Sequence, residues 1–416
     1  MTLCKKKKWN LFERFGIELE YMIVDRDSLQ VVPRADLILG NDKNGNFLSE
    51  IKRGRVGLSN ELVSHVIELK CAEPISSFTG WSKVFQKEIV RINTELAKIN
   101  AMLLPSASHP FMNPKEEMVL WPYESNDIYN AYDRIFNCKG HGWCNLQSTH
   151  LNISFNGDAQ FGPLHAAVRL LLPLIPAIAA SSPYLDGEFT QYKDGRLETY
   201  RHNQEKIPSL GGQTIPEAIF TQADYEREIF EPIKRDITPY DPGHLLNHYF
   251  LNSRGAIARF DRSAIEIRLV DIQESPAADI AIAELQVAVL KNLVNQKWSS
   301  TQEQKAIETT PLASILNETI KRAENAVIED ASYLLTFGIQ SSFIMAKDLW
   351  FYLYNESKNF ISTPSQKVLE KILARGTIAN TLFKKLRESP GRDRLVYEYN
   401  KLAKCLATNK LYDIDD

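Results

Sequence analysis

Cysteine is sparse and unpatterned in this chain. Cys4, Cys71, Cys138, Cys144 and Cys405 are the only five among 416 residues, and they form no Cys-x-x-Cys pair. An odd, scattered set suits a reducing compartment better than a disulfide framework. Cys138, His141 and Cys144 lie close together but lack a nearby fourth ligand, so a zinc site is the less favoured reading. Long hydrophobic runs are missing too. The most apolar stretch, residues 170–180, contains Pro173 and Pro176 and reads as a buried helix, about half the length that crosses a bilayer. No apolar segment of signal-peptide type follows the N-terminal charges and Trp9. Net charge is only −3, which gives no reason to expect nucleic acid or a membrane surface as partner. The one basic run, Lys5 to Lys8, reads as a solvated tail. A cytoplasmic protein with small-molecule partners is expected, with homo-oligomerisation left open. There is no GxxxxGK[ST] loop, no GxGxxG after a strand and no GxSxG elbow. Gly211-Gly212 reads as a plain turn.

What is present is a change of periodicity along the chain. Residues 15–25 (FGIELEYMIVD) begin with apolar–acidic alternation, as in a strand with one face on a core. Residues 61–70 (ELVSHVIELK) read as a second strand. From Trp81 to Leu104, Val84, Phe85, Ile89, Ile92, Leu96 and Ile99 recur at helical spacing, and a short strand is expected near residues 103–106. Residues 148–155 (STHLNISF) alternate again, and Gly162-Pro163 opens a long apolar helix. Residues 184–245 read as irregular, and residues 256–271 return to strand patterning. Beyond Pro276 nearly everything reads helical, with breaks near 310–311, 363–364 and 390–391. Strands early and helices late predict an α+β protein with an antiparallel sheet. Its strand-rich part covers residues 1–300, and residues 301–416 form a helical part that could pack back on it.

The strands carry charge where one face should be apolar. Glu18 and Glu20 are two apart and so share a face, opposite Ile17, Leu19 and Tyr21. Glu61 and Glu68 lie in the next strand-like segment. His150 shares a face with Asn152 and Ser154, and Glu266 shares one with Arg268. Any one of these has an ordinary solvent-exposed reading. Repetition over four segments predicts one polar sheet surface instead. Carboxylates with a single imidazole suit Mg²⁺ or Mn²⁺ better than zinc, and several such ions would clamp a polyphosphate. Arg254, Arg259, Arg262 and Arg268 fall in one short stretch, and guanidinium forks suit phosphate and carboxylate oxygens. Such a mixture fits phosphoryl transfer.

Together, GIELEYMIVD, Glu61/Glu68, STHLNIS and NSRGAIARF…AIEIR resemble the signatures of the glutamine synthetase superfamily. The branch they resemble most is the glutamate–cysteine ligase type 2, or carboxylate–amine ligase, family. The resemblance runs from about Gly16 to Asp271. It implies a curved antiparallel sheet forming a funnel with helices outside. It also implies an ATP-dependent ligase that makes an amide through an acyl phosphate, as in glutathione biosynthesis. Glu18, Glu20, Glu61, Glu68, His150 and Glu266 are then expected to hold metal. Ser154, Arg254 and Arg259 are expected to meet the nucleotide, and Arg268 and Glu266 to stand at the transferred phosphoryl group. In the segment SSPYLDGEFTQYKDGRLETYR, Arg196 is expected to hold a substrate carboxylate, with Arg201 as its rival. Asn152 departs from the pattern, since related enzymes often carry a second histidine there. A guanidino-kinase-like phosphotransferase and a non-catalytic nucleotide-binding homologue are the alternatives.

Overall fold

The computed structural model describes residues 8–413. Cys4 and Lys5 to Lys7 of the basic run lie outside the described residues. Eight strands build one antiparallel sheet: β1 (Phe15–Asp25), β2 (Glu50–Arg53), β3 (Val56–Asn60), β4 (Val66–Cys71), β5 (Ala101–Leu104), β6 (Ser148–Ser154), β9 (Ala256–Arg259) and β10 (Ala264–Asp271). Two further ribbons, β7 (Tyr184–Leu185) with β8 (Glu188–Phe189) and β11 (Val327–Ile328) with β12 (Ile344–Met345), stand apart from it. The order β2-β3-β4-β1-β6-β10-β9, with β5 also on β1, leaves an open sheet rather than a closed barrel. β1 is the hub. It pairs with β4 on one side, and on the other with β6 through its first half and β5 through its second.

Alternation along the hub strand sorts the two faces. Ile17, Leu19, Ile67, Leu69, Leu151, Ile153, Ile265 and Ile267 are fully buried on the core side. They pack with Phe85, Ile89, Ile92 and Leu96 of the helix Trp81–Leu96 and with the almost wholly buried helix Pro276–Val294. At about 25 cal/mol per Å² of buried apolar area, this face is what drives the sheet to form. The anticipated helix from Trp81 ends earlier than its spacing suggests. It tightens to a 3₁₀ turn at Ala97–Ile99, so Ile99 points to solvent.

Four other segments differ from expectation. The strand read at 61–70 begins only at Val66, because Asn60 closes β3 and residues 61–65 turn the chain. The strand near 103–106 is Ala101–Leu104. The apolar helix starts at Asp158, and Pro163 lies inside it, just past the first turn, where it removes one i→i−4 hydrogen bond. Residues 184–245 contain short helices such as Gly195–Tyr200 and Glu231–Ile237. Among the late helices, Thr363–Arg375 packs on Pro276–Val294, and Arg392–Thr408 packs on β5 and Trp81–Leu96. No described helix is long and apolar enough to cross a membrane.

Candidate active site

The polar face of the sheet forms the floor of a cavity of about 990 Å³. Register places the acidic groups side by side: Glu20 opposite Glu68, Glu18 opposite both Lys70 and His150, and Asn152 opposite both Gly16 and Glu266. Two carboxylate groups result. In one, ligand atoms of Glu18, Glu68 and His150 lie within 4.8 Å of one another, and in the other those of Glu20, Glu61 and Glu68 do so. Glu61 reaches the set from the turn after β3 rather than from the strand predicted for it.

Hydrogen bonds fix these side chains. His150 Nδ1 meets Glu18 Oε2 at 3.0 Å, and its Nε2 meets Ser148 Oγ at 2.9 Å. Asn152 Nδ2 donates to Glu18 Oε1 (3.1 Å). The Ser148 amide and hydroxyl both donate to Glu20 Oε2, at 2.7 and 2.9 Å. Ser59 Oγ donates to Glu68 Oε1 at 2.6 Å. Burial pushes the Glu18 carboxyl up, but the His150 hydrogen bond and the charges of His150, Lys70 and Arg262 outweigh it and bring it to about 2. Burial lowers His150, yet its bond to Glu18 and the charge of Glu20 raise it overall. Glu68 is pushed up to about 7 by burial and by Glu18, against Lys70 and Ser59. Glu61 is held well above its ordinary range by burial and then by Glu20, Glu68 and Glu18.

Such raised carboxyls predict how stability follows pH. The unfolded chain releases the Glu68 proton near 4.5, whereas the folded chain holds it to about 7. Stability falls as pH rises across that window, by about 2 to 3 kcal/mol for this one group. Glu18 acts oppositely, but only below pH 4.5. His150, raised from 6.5, loses its stabilisation as pH passes its folded value and so adds to the fall. Burial lowers His65, His109 and His165 and makes them act oppositely over the same range, so the effect is read against Glu68→Gln, where their contribution cancels. We expect the melting midpoint of chelator-treated native protein to drop relative to that variant from pH 5 to pH 7.5, and excess Mn²⁺ to remove the relative drop. A relative midpoint that is flat or rises in chelator would contradict this.

The basic half of the cavity comes from the β9–β10 hairpin. Arg268 Nη2 lies 3.1 Å from Glu266 Oε1, and Arg259 Nη1 3.5 Å from Glu266 Oε2. Arg259 is also fixed by Asp261 at 3.0 Å and stands over the rings of Tyr249 and Phe250. Arg262 lines the cavity beside them. Neither carboxylate group includes Glu266, whose described partners are these arginines. Ser154 lines the cavity, but its hydroxyl donates to Asn10 O (2.7 Å) and accepts from Arg14 N (3.0 Å), which ties down the N-terminal segment.

Arg196 also lines the cavity. Its Nε meets Asp271 Oδ1 at 2.5 Å and its Nη2 donates to Leu269 O at 2.8 Å, with both charged partners essentially buried. Asp271 owes its place to a β-bulge. Between Ile267 and Val270, β10 carries one residue more than β6. The phase of β10 therefore switches, and Asp271 pairs with Ser148, whereas an unbroken alternation would have put Val270 on that face.

Two expected arginines are elsewhere. Arg254 is clamped by Glu217 through Nε (2.6 Å) and Nη2 (2.7 Å), with Nη1 on the Ser209, Leu210 and Asn252 oxygens. It does not line the cavity. It lies in the bend before β9, outside the strand whose alternation carries Arg259 to the cavity. Arg201 pairs with Glu198 (2.7 Å) and Asn317 (2.6 Å), also outside the cavity lining. Cys138 and Cys144 are buried thiols, and His141 meets Asp186 and Asn145.

Other lining residues are not among those expected from the sequence: Lys70, Ser148, Tyr129, Tyr132, Trp143 and Tyr200. The first two were within reach of the period-2 rule, since Lys70 is two from Glu68 and Ser148 two from His150. The aromatics come from the helix Asn126–Phe136, the turn His141–Cys144 and the helix Gly195–Tyr200. Their periodicity in sequence cannot be told from that of core residues.

Residues 14–330 match the family model described as glutamate-cysteine ligase family 2 (GCS2). An "Uncharacterized protein" of Archaeoglobus fulgidus is 36% identical over 279 residues, spanning 66% of this chain and 73% of the relative. A "Putative glutamate--cysteine ligase 2" of Ruegeria pomeroyi is 22% identical over 68% of this chain and 66% of its own length. Among solved structures, a glutamate–cysteine ligase from Francisella tularensis in complex with AMP superposes with a TM-score of 0.55 at 12% identity, covering 98% of this chain and 90% of that one. A bifunctional glutathione synthetase from Pasteurella multocida gives a TM-score of 0.59 at 12% identity, covering 96% of this chain and 52% of that one. This chain thus spans about half of the bifunctional protein. At such identity the two structures speak for the fold.

Proposed function

The chain belongs to the glutamate–cysteine ligase family 2, whose ligases form carbon–nitrogen bonds, and from that premise we propose that it is an ATP-dependent carboxylate–amine ligase. In this reading residues 1–300 are a glutamine synthetase-like catalytic unit and the later helices buttress it. The observation that carries the proposal is the meeting, in one cavity, of two carboxylate groups with Arg259, Arg262 and Arg268.

The donor set fits a hard divalent ion: carboxylate oxygens and one imidazole, with the Glu61 and Glu68 carboxyls raised above their ordinary range by burial and by the neighbouring carboxylates, which a bound cation would relieve. Glu18, Glu68 and His150 would hold one Mg²⁺ or Mn²⁺, and Glu20, Glu61 and Glu68 a second. Such ions neutralise phosphate oxygens and orient the γ-phosphoryl group. Arg268 and Arg259, each aimed by Glu266, spread the charge that develops on that group. Arg196, kept rigid by Asp271, presents a cation to the substrate carboxylate.

The carboxylate attacks the γ-phosphorus, ADP leaves, and the amine nitrogen displaces phosphate from the acyl phosphate to form the amide. Glutamate is the proposed carboxylate and cysteine the first amine to try. The test is ADP and phosphate release with glutamate against a panel of amines, with mass analysis of the product. Amide together with equal ADP and phosphate is expected. ADP without free phosphate would favour the guanidino-kinase-like alternative. No turnover and no nucleotide binding would favour the non-catalytic one.

A further inference from the structure

Glu68 is the one residue shared by both carboxylate groups among the described residues, and it is already engaged. Its Oε1 accepts from Ser59 Oγ at 2.6 Å and faces Lys70 Nζ at 3.2 Å. Lys70 Nζ also donates to Ser59 Oγ (3.0 Å) and lies 3.4 Å from Glu50. The strands hold this ammonium in place. Lys70 is opposite Glu18 on one side and Gly57 on the other. A Cβ at Gly57 would lie 3.2 Å from Lys70 Cγ, so the glycine leaves the channel in which the lysine stem runs.

The two groups therefore differ in internal pairing. In the Glu18–Glu68–His150 group, both Glu18 oxygens are met, by His150 and Asn152, and Glu68 is met by Ser59 and Lys70. In the Glu20–Glu61–Glu68 group, Glu20 accepts from Ser148 at Oε2 and has His150 Nε2 3.7 Å from Oε1, and Glu68 keeps the same Ser59 and Lys70 partners. No hydrogen bond or ion pair from the described residues reaches the Glu61 carboxylate. Lys70, paired across the sheet with Glu18, opposes a second cation on the Glu18 side of Glu68, whereas the unpartnered Glu61 carboxylate invites one on the other side.

We infer that Lys70 is a positioning residue that orders metal loading. The Glu20–Glu61–Glu68 group takes the first divalent ion. The Glu18–Glu68–His150 group takes the second only when a triphosphate draws the ammonium off Glu68. This rests on the two-ion reading above. Lys70 thereby keeps the shared carboxylate neutralised in the empty enzyme and links the second ion to the nucleotide.

The test counts Mn²⁺ bound to the full chain, from the loss of the free-ion electron paramagnetic resonance signal, with and without the β,γ-imido analogue of ATP. The native protein is expected to bind one ion tightly alone and two with the analogue. Lys70→Met is expected to bind two without it, the second tightened on the order of ten- to a hundredfold. Lys70→Arg is expected to restore the native count. Lys70→Gln repeats the neutral arm should Lys70→Met fail to fold. Two tight ions in the native protein alone, or one in both neutral variants, would overturn the role of Lys70 and leave the ligase reading standing. No bound Mn²⁺ in any arm would overturn both.

Discussion

Glu68→Gln is expected to lower ADP release at least about 10³-fold while leaving the fold intact, because it removes the one carboxylate that both groups share. The two effects separate for a physical reason. With no divalent ion bound, burial and the charge of Glu18 push the Glu68 carboxyl up to about 7 in spite of Lys70, so the protonated form is accessible at neutral pH. Glutamine resembles that protonated form, and it keeps an oxygen to accept from Ser59. Circular dichroism should match the native protein, and the chelator-treated melting midpoint at pH 7.5 should be no lower than native. Ser59→Ala, which only loosens Glu68, is expected to cost about 10- to 100-fold. Turnover within tenfold of native in Glu68→Gln would sink the assignment.

Asp271→Ala is expected to destabilise the protein by about 3 kcal/mol and to raise KM for the carboxylate substrate more than it lowers kcat. Removing one partner of a buried ion pair typically costs about 3 to 5 kcal/mol, because the remaining charge stays buried. Here the partner is Arg196, with both side chains essentially inaccessible. The lower end is expected because Asp194 stands in reserve. Its carboxyl is held well above the ordinary range by burial and then by the charge of Asp271. Once Asp271 is gone, Asp194 can ionise and face Arg196. Asp194→Asn combined with Asp271→Ala should therefore cost more than the separate effects added together. Urea unfolding of the three variants measures this, and strict additivity would show that Asp194 does not substitute.

Much of this site was legible along the chain. Glu18, Glu20, Glu68 and His150 sit on strands whose other face is mainly apolar, so period-2 alternation located them before any fold was known. The same rule, carried two residues further, would have found Lys70 and Ser148. It failed at Glu61, which alternation cannot reach because the residue lies in a turn. It failed for Arg254 because four arginines in one stretch look alike until the fold shows that this one stands in the bend before β9. Helical spacing marked the helix Trp81–Leu96 but overran it at Ile99, where the chain tightens without a sequence signal.

The sequence by itself determined which strand residues face away from the core, because alternation and apolar burial are local rules. It also carried the order of motifs by which the family was identified. Only the tertiary structure decided which of the polar groups meet. The antiparallel register set Glu18 beside His150 and Glu20 beside Glu68, and the bulge in β10 turned Asp271 toward Arg196. Pairing between distant strands, and a one-residue slip within one of them, depend on contacts no local pattern encodes. For that reason the chemistry of the cavity emerged with the sheet rather than with the motifs.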